Sequence, residues 1–275
     1  MQRTETLTEK PTSSLAPLLL HARGFLIQLA YFVGGLLLLT LLWVAASSAV
    51  PDLPKLKAIG EAAQTLFQNP WYDRGPSDKG ILNLLLNSLS RVAGGFFLGA
   101  LLAIPLGTVM GMIPFFRKLL DPLVQLLRPV SPLAWYPLGL AAFTAADPAL
   151  IFTIFITALW PTVLNTAFGV GGLPQDFKNV ARVFRFSPWQ YLTRVVLPYA
   201  LPSIVTGLRI SFGIAWMVIV AAEMLSGRAG IGFFVWDSYN AGNLALVVVA
   251  ILLIGFTGYA LDRLFGVLER RVSFK

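Results

Sequence analysis

The chain has 275 residues, 56% of them hydrophobic and only 12% charged, where a soluble domain typically carries about twice that charged fraction; this excludes a water-soluble globular domain, disorder and coiled coil. It holds no cysteine and one histidine, His21, which excludes disulfides, thiolate metal sites and a Ser-His-Asp triad. Lysine and arginine outnumber aspartate and glutamate by 21 to 13, an excess that beside long apolar segments reports orientation in a membrane and not nucleic acid.

A bilayer core of about 30 Å needs about 20 apolar residues as helix, and such runs occur at six places. The polar leader Met1 to Ala16 predicts a tail, and the first span covers Phe25 to Val50. That span is too long for the apolar part of a signal peptide and is expected to be retained, with the N-terminus cytoplasmic. The second runs from Leu84 to Met112 around Pro105. The third is short, Pro129 to Thr144, and is interrupted by Pro132 and Pro137. Ala149 to Val170, Ser203 to Met224 and Leu244 to Phe265 complete six.

The basic residues test this count independently. With the N-terminus inside, three precede span one, three (Arg117, Lys118, Arg128) follow span two, four follow span four and four lie from Arg263 onward, fourteen in all; five fall outside. This bias predicts that both termini are cytoplasmic. Gly95 and Gly99, and Gly107 and Gly111, are four apart in span two, a small face that suits either a neighbouring helix of the same bundle or a second copy. No internal repeat of the kind expected in duplicated secondary transporters is evident.

Charges within spans are expected to face a cavity or a partner. Arg209 either attracts an anion along a pathway or pairs and snorkels; Arg91, near the outer start of span two, has the same two readings. Glu223 would repel an anion, which favours a structural pair or a hydrogen bond to the Gly230 to Gly232 loop, and it enters only as a gate candidate. Trp135, Tyr136 and Trp216 either line a path or pack.

The loop between spans four and five is about thirty residues long and basic. From Gln175 to Tyr191 it reads as a short amphipathic helix, with Phe177, Val180, Ala181, Phe184 and Trp189 apolar and Lys178, Arg182 and Arg185 polar. Pro174 suits a helix start and Ser187-Pro188 a bend or stop. Such a helix lies on anionic lipid or docks a cytoplasmic partner.

This run resembles the loop of bacterial ATP-binding-cassette importer permeases whose pattern is Glu-Ala-Ala, three residues, Gly, nine residues, Ile, one residue, Leu-Pro. Asn179, Val180 and Ala181 occupy the triplet, Arg185 the Gly position, Val195 the Ile position, and Leu197-Pro198 close it. Asn179 and Arg185 depart from the pattern. The stretches RPVSPLAWYPLGLAAF and AAEMLSGRAGIGFFVWDSYN are similar to the subgroup importing nitrate, nitrite, bicarbonate, taurine and alkanesulfonates, and NPWYDRGPSDKGILNLLLNSL to cyanobacterial nitrate and bicarbonate permeases.

The resemblance implies an all-α integral membrane protein of the type I importer permease fold, with about six transmembrane helices, in the bacterial inner membrane. A cytoplasmic tail, 1–24, would precede a permease domain, 25–275, with its coupling loop at about 171–198. Coupling to an ATPase would fall to Lys178, Asn179, Val180, Ala181, Arg182, Val183, Phe184, Arg185, Leu197 and Pro198. The implied partners are a second permease copy, two ATPase subunits holding ATP and magnesium, an extracytoplasmic binding protein and membrane lipid, without nucleic acid. The chain has no G-x-x-x-x-G-K-[ST] phosphate loop, so hydrolysis is expected elsewhere and this chain is expected to be neither enzyme nor cofactor carrier. The expected cargo is nitrate or nitrite, with bicarbonate, taurine or an alkanesulfonate as alternatives; a standalone secondary transporter is the competing class. If the docking reading holds, Arg185→Gly is expected to weaken the loop helix by about 1 kcal/mol.

Overall fold

The computed structural model describes residues 16–75 and 78–272. Most of the expected tail, 1–15, lies outside the described residues, as does Lys275. The chain forms two compact units, residues 1–57 and 58–275.

The first unit contributes α1 (Ala16–Ala49), whose stretch Leu29–Ala49 is long and apolar enough to cross a membrane and has no fully buried residue in its most apolar window. Its Trp43 indole donates to the Pro54 carbonyl at 3.1 Å, which fixes the turn that follows.

The second unit is entirely helical among the described residues. After α2 (Leu56–Gln68), a short turn brings Asp73 beside Lys79, whose ammonium holds the Asp73 carboxyl below the usual carboxylate range. Asn83 ties this turn to the next helix by donating to the Trp71 and Tyr72 carbonyls. Then follow α3 (Ile81–Met112), α4 (Pro114–Leu127), a 3-10 turn (Pro132–Trp135), α5 (Tyr136–Phe143), α6 (Ala146–Gly171), α7 (Gln175–Val183), α8 (Pro188–Tyr191), α9 (Leu197–Ser226), α10 (Ile231–Asn240) and α11 (Leu244–Val272).

The glycines of α3 are consumed within the bundle. A Cβ on Gly95 would stand 2.6 Å from the Ile151 carbonyl, on Gly107 2.6 Å from that of Val163 and on Gly111 2.8 Å from that of Ala167. Of the two uses expected for this face, the structure realises the close approach of α3 to α6. Across the other side of α6, Ser211 of α9 bonds Thr162 at 2.7 Å and the Ala158 carbonyl at 2.8 Å.

Among the described residues, five helical stretches are individually long and apolar enough to cross a membrane, against six expected spans. The difference is the third span, which is not a helix from Pro129 to Thr144. It starts earlier, at Pro114, and is assembled from α4, the 3-10 turn and α5. Arg117 lies 3.6 Å from the position a Cβ would take on Gly171, at one end of α6. Val124 packs with Leu159 and Val163 midway along it, and Gly139 meets Ala149 and Phe152 near the other end. The broken segment thus runs antiparallel to α6 along its length. Pro129, Pro132 and Pro137 remove backbone donors and forbid a continuous helix. Arg128, expected in a cytoplasmic loop, therefore follows directly on α4 and is exposed, on the wall of a cleft between α4, the 3-10 turn and α6.

α8 and α9 form one continuous span, Pro188–Ser226, through a π-helical turn at Leu192–Val196. Pro198 lacks the N–H that would return to Arg194 and its ring crowds that carbonyl; the wider turn, closed by Leu197 N–H to the Leu192 carbonyl, absorbs the clash.

Candidate functional site

The segment expected as a cytoplasmic loop is two helices, not the single one expected from Gln175 to Tyr191. α7 ends in a complete Schellman motif: Phe186 N–H donates to the Ala181 carbonyl at 3.0 Å and Arg185 N–H to that of Arg182 at 3.1 Å. Arg185 takes the left-handed conformation this motif demands, with φ of 51°. The position where the resembled pattern carries Gly is therefore a helix C-terminal cap that favours Gly, which reverses the sign expected for Arg185→Gly. α8 restarts on a capping box, Ser187 Oγ accepting from Gln190 N–H and Gln190 Oε1 from Ser187 N–H.

Along α7, Ala181 is buried. Lys178, Asn179, Arg182 and Arg185 are exposed. Four large apolar side chains, Phe177, Val180, Val183 and Phe184, are exposed as well, the last two at 78% and 70%. Val196 and Ala200 are buried around the Leu197-Pro198 junction, so α9 is gripped just past the loop.

Arg91 and Glu223 meet. Arg91 Nη1 donates to Glu223 Oε1 at 2.7 Å and to the Ala229 carbonyl at 2.9 Å, while Nε donates to Asp147 at 3.0 Å. Glu223 is fully buried, its second oxygen accepting from Ser88 Oγ at 2.8 Å and Gly232 N–H at 3.0 Å. Arg228 reaches the other oxygen of Asp147 at 3.1 Å. Two cations and two anions thus tie α3, α6, α9 and the start of α10 together. Gly230 leaves no space beyond the Glu223 carboxylate, since any Cβ there would overlap it.

Arg209 is likewise engaged. It makes a bidentate pair with Asp262 at 2.7 and 2.8 Å and reaches Glu269 at 2.7 Å, with Thr206 donating to the same carboxylate. This joins α9 to α11, as does Trp216, buried, whose indole donates to the Ile254 carbonyl at 3.1 Å. Tyr136 is buried in the core cluster.

Trp135 stands apart from these. It lines a cleft of about 450 Å³ together with Arg128, Ser131, Thr157, Trp160 and Asn165. Its indole N–H is buried without a hydrogen-bond partner. None of the lining residues is acidic. The Arg128 guanidinium makes no hydrogen bond or ion pair among the described residues, unlike those of Arg91 and Arg209. Charge counting by loop missed it because the amphipathic run Phe115 to Leu127, which carries it to the cleft, resembles an interfacial segment; the apolar spacing of Leu120 and Val124 was the available signal.

Residues 81–274 match the family described as binding-protein-dependent transport system inner membrane component. The chain belongs to that family. It is an inner-membrane permease, a transport subunit and not an enzyme of its own. It is 44% identical over 235 residues to the nitrate import permease protein NrtB of Synechocystis sp., covering 85% of this chain and 86% of that one. It is also 44% identical over 248 residues to the bicarbonate transport system permease protein CmpB of Synechococcus elongatus, covering 90% and 89%. A chain of the MetNI methionine ABC transporter, solved in inward-facing conformations, shares the permease fold with a TM-score of 0.64 at 17% identity, covering 70% of this chain and 96% of that one.

Proposed function

We propose that this permease imports nitrate, working as a pair of copies with two ATPase subunits and an extracytoplasmic binding protein, both termini cytoplasmic. The observation that carries the cargo is the shared level of identity to a nitrate and a bicarbonate permease over most of the chain. Both ions are small, planar, singly charged oxyanions, and the bicarbonate relative, aligned over 90% of this chain, supports bicarbonate as the second reading. The apolar face of α7, with Phe184 and Val183 exposed beside a ring of basic residues, has the character of a docking helix, where buried aromatic anchors supply affinity and charges set register. The ATPase dimer's closing and opening would then move α9 as a rigid body.

The test is uptake of labelled nitrate and bicarbonate into proteoliposomes holding the permease, its ATPase subunits and the binding protein. ATP-dependent nitrate uptake is the expected result, and uptake of bicarbonate alone would select the second reading. Uptake without ATP, or in Phe184→Asp at the wild-type rate, would refute coupling through α7, because that substitution puts a charge on the exposed face that docking must desolvate.

A further inference from the structure

The cleft around Arg128 is level with the middle turns of two spans. Its walls come from residues 156–165 of α6, a helix running from 146 to 171, and from Ile214 of α9, which runs from 197 to 226. An unpaired guanidinium at that depth is too far from either interface to snorkel, and holding it in hydrocarbon is costly. Each other arginine buried in the bundle core or engaged between spans has carboxylate partners: Arg91 has Glu223 and Asp147, and Arg209 has Asp262 and Glu269. Around Arg128 no lining side chain is anionic and several donate: the unpartnered Trp135 indole, the Ser131 hydroxyl, and Asn165, whose amide N–H₂ sends one bond to the Pro161 carbonyl and keeps a second donor beside its acceptor oxygen. Pro161 in the same wall also removes the helical N–H that would cap the Thr157 carbonyl, a break tolerated at membrane depth where water is present.

We infer that this cleft is a water-filled, mid-membrane resting site for a small oxyanion, with Arg128 as counter-charge and the Trp135 indole as a directed donor. The inference rests on the oxyanion-import reading and deepens it. A planar oxyanion presents acceptors in a plane, which suits a guanidinium fork flanked by a second N–H. Broken backbone at Pro129 to Pro132 keeps a helix from filling the space. The two ion-paired clusters on either side are charge-balanced or acidic and offer the anion no such site.

The chain contains no cysteine, so a single thiol can be placed without background. In the assembled transporter, Ser131→Cys is treated with the anionic sulfonatoethyl and the cationic trimethylammonioethyl methanethiosulfonates, and labelling of the permease chain is followed over time. The anionic reagent is expected to react at least tenfold faster relative to the cationic one, compared with the same ratio on a free thiol, and Arg128→Gln in the same background should abolish the preference. Nitrate or bicarbonate should slow the labelling. In uptake, Arg128→Gln should lose at least tenfold while its ATPase still co-purifies, and Arg128→Lys, which keeps the charge but not the fork, should fall between Arg128→Gln and wild type. Equal rates for both reagents, or no labelling at all, would overturn the inference, as would unchanged uptake in Arg128→Gln. Dissociation of the complex in Arg128→Gln without any anion preference would overturn it in favour of an ion pair between copies. Wild-type transporter that moves neither anion would refute the cargo reading instead, while the reagent preference at Ser131→Cys, which needs no transport, would still report on the cleft.

Discussion

Arg185 carries a side chain into a backbone conformation where a β-carbon crowds the neighbouring carbonyl, at a cost of about 1–2 kcal/mol. Glycine removes that cost and gives back part of it as lost chain entropy. Arg185→Gly is therefore expected to stabilise the permease by about 0.5–1 kcal/mol, raising the melting temperature in detergent by a few degrees while the ATPase remains bound. A fall in melting temperature would show that the Arg185 guanidinium contributes more than the strain costs. The spacing of the loop motif was legible in the sequence, but the cap was not, because the pattern marks the position and not its φ. The same divide runs through the charges. That Arg91, Arg209 and Glu223 needed partners followed from their place in apolar runs, as did the bond of Glu223 to the nearby Gly230–Gly232 loop; which acids the arginines took did not, since Arg91 finds Glu223 from 132 positions away and Arg209 finds Asp262 from 53. Arg128 was hidden for the opposite reason: it has a setting in the fold but no partner to reveal it.

At the level of elements, the seam between α3 and α6 depends on absent side chains. Gly107→Leu would drive carbon into the Val163 carbonyl and Thr166, and because both helices are gripped along several turns the clash cannot be spread. The expected result is a loss of about 3 kcal/mol or more, seen as aggregation on size exclusion or loss of the ATPase, while Gly213→Leu, where nothing lies within 4 Å, should be tolerated. Normal behaviour of Gly107→Leu would mean that the helices can separate freely. Long apolar helices were readable because their length alone matches the bilayer. The broken third crossing was not, because its first half, α4, is amphipathic and mimics a surface helix, while its second half is too short to register as a span.

Across the whole molecule, orientation is tested by reporters fused after Lys178 and Arg271, expected cytoplasmic, and after Arg74, expected outside. Moving Arg128 from loop to cleft lowers the inside basic count by one and leaves the bias intact, since the remaining cytoplasmic cations lie near helix ends where the rule acts. A cytoplasmic signal at Arg74 would invert the bundle. The half-depth position of Arg128 has an electrical consequence. An anion entering an interior held negative climbs about 2.3 kcal/mol per 100 mV across the full membrane. A fixed positive charge midway offsets the first half of that climb when the anion arrives, and the voltage-dependent work is left to the step that releases it inward. Hyperpolarising the vesicles should then slow turnover at saturating anion more than it weakens anion entry, so that the membrane potential bears on the same step that ATP drives.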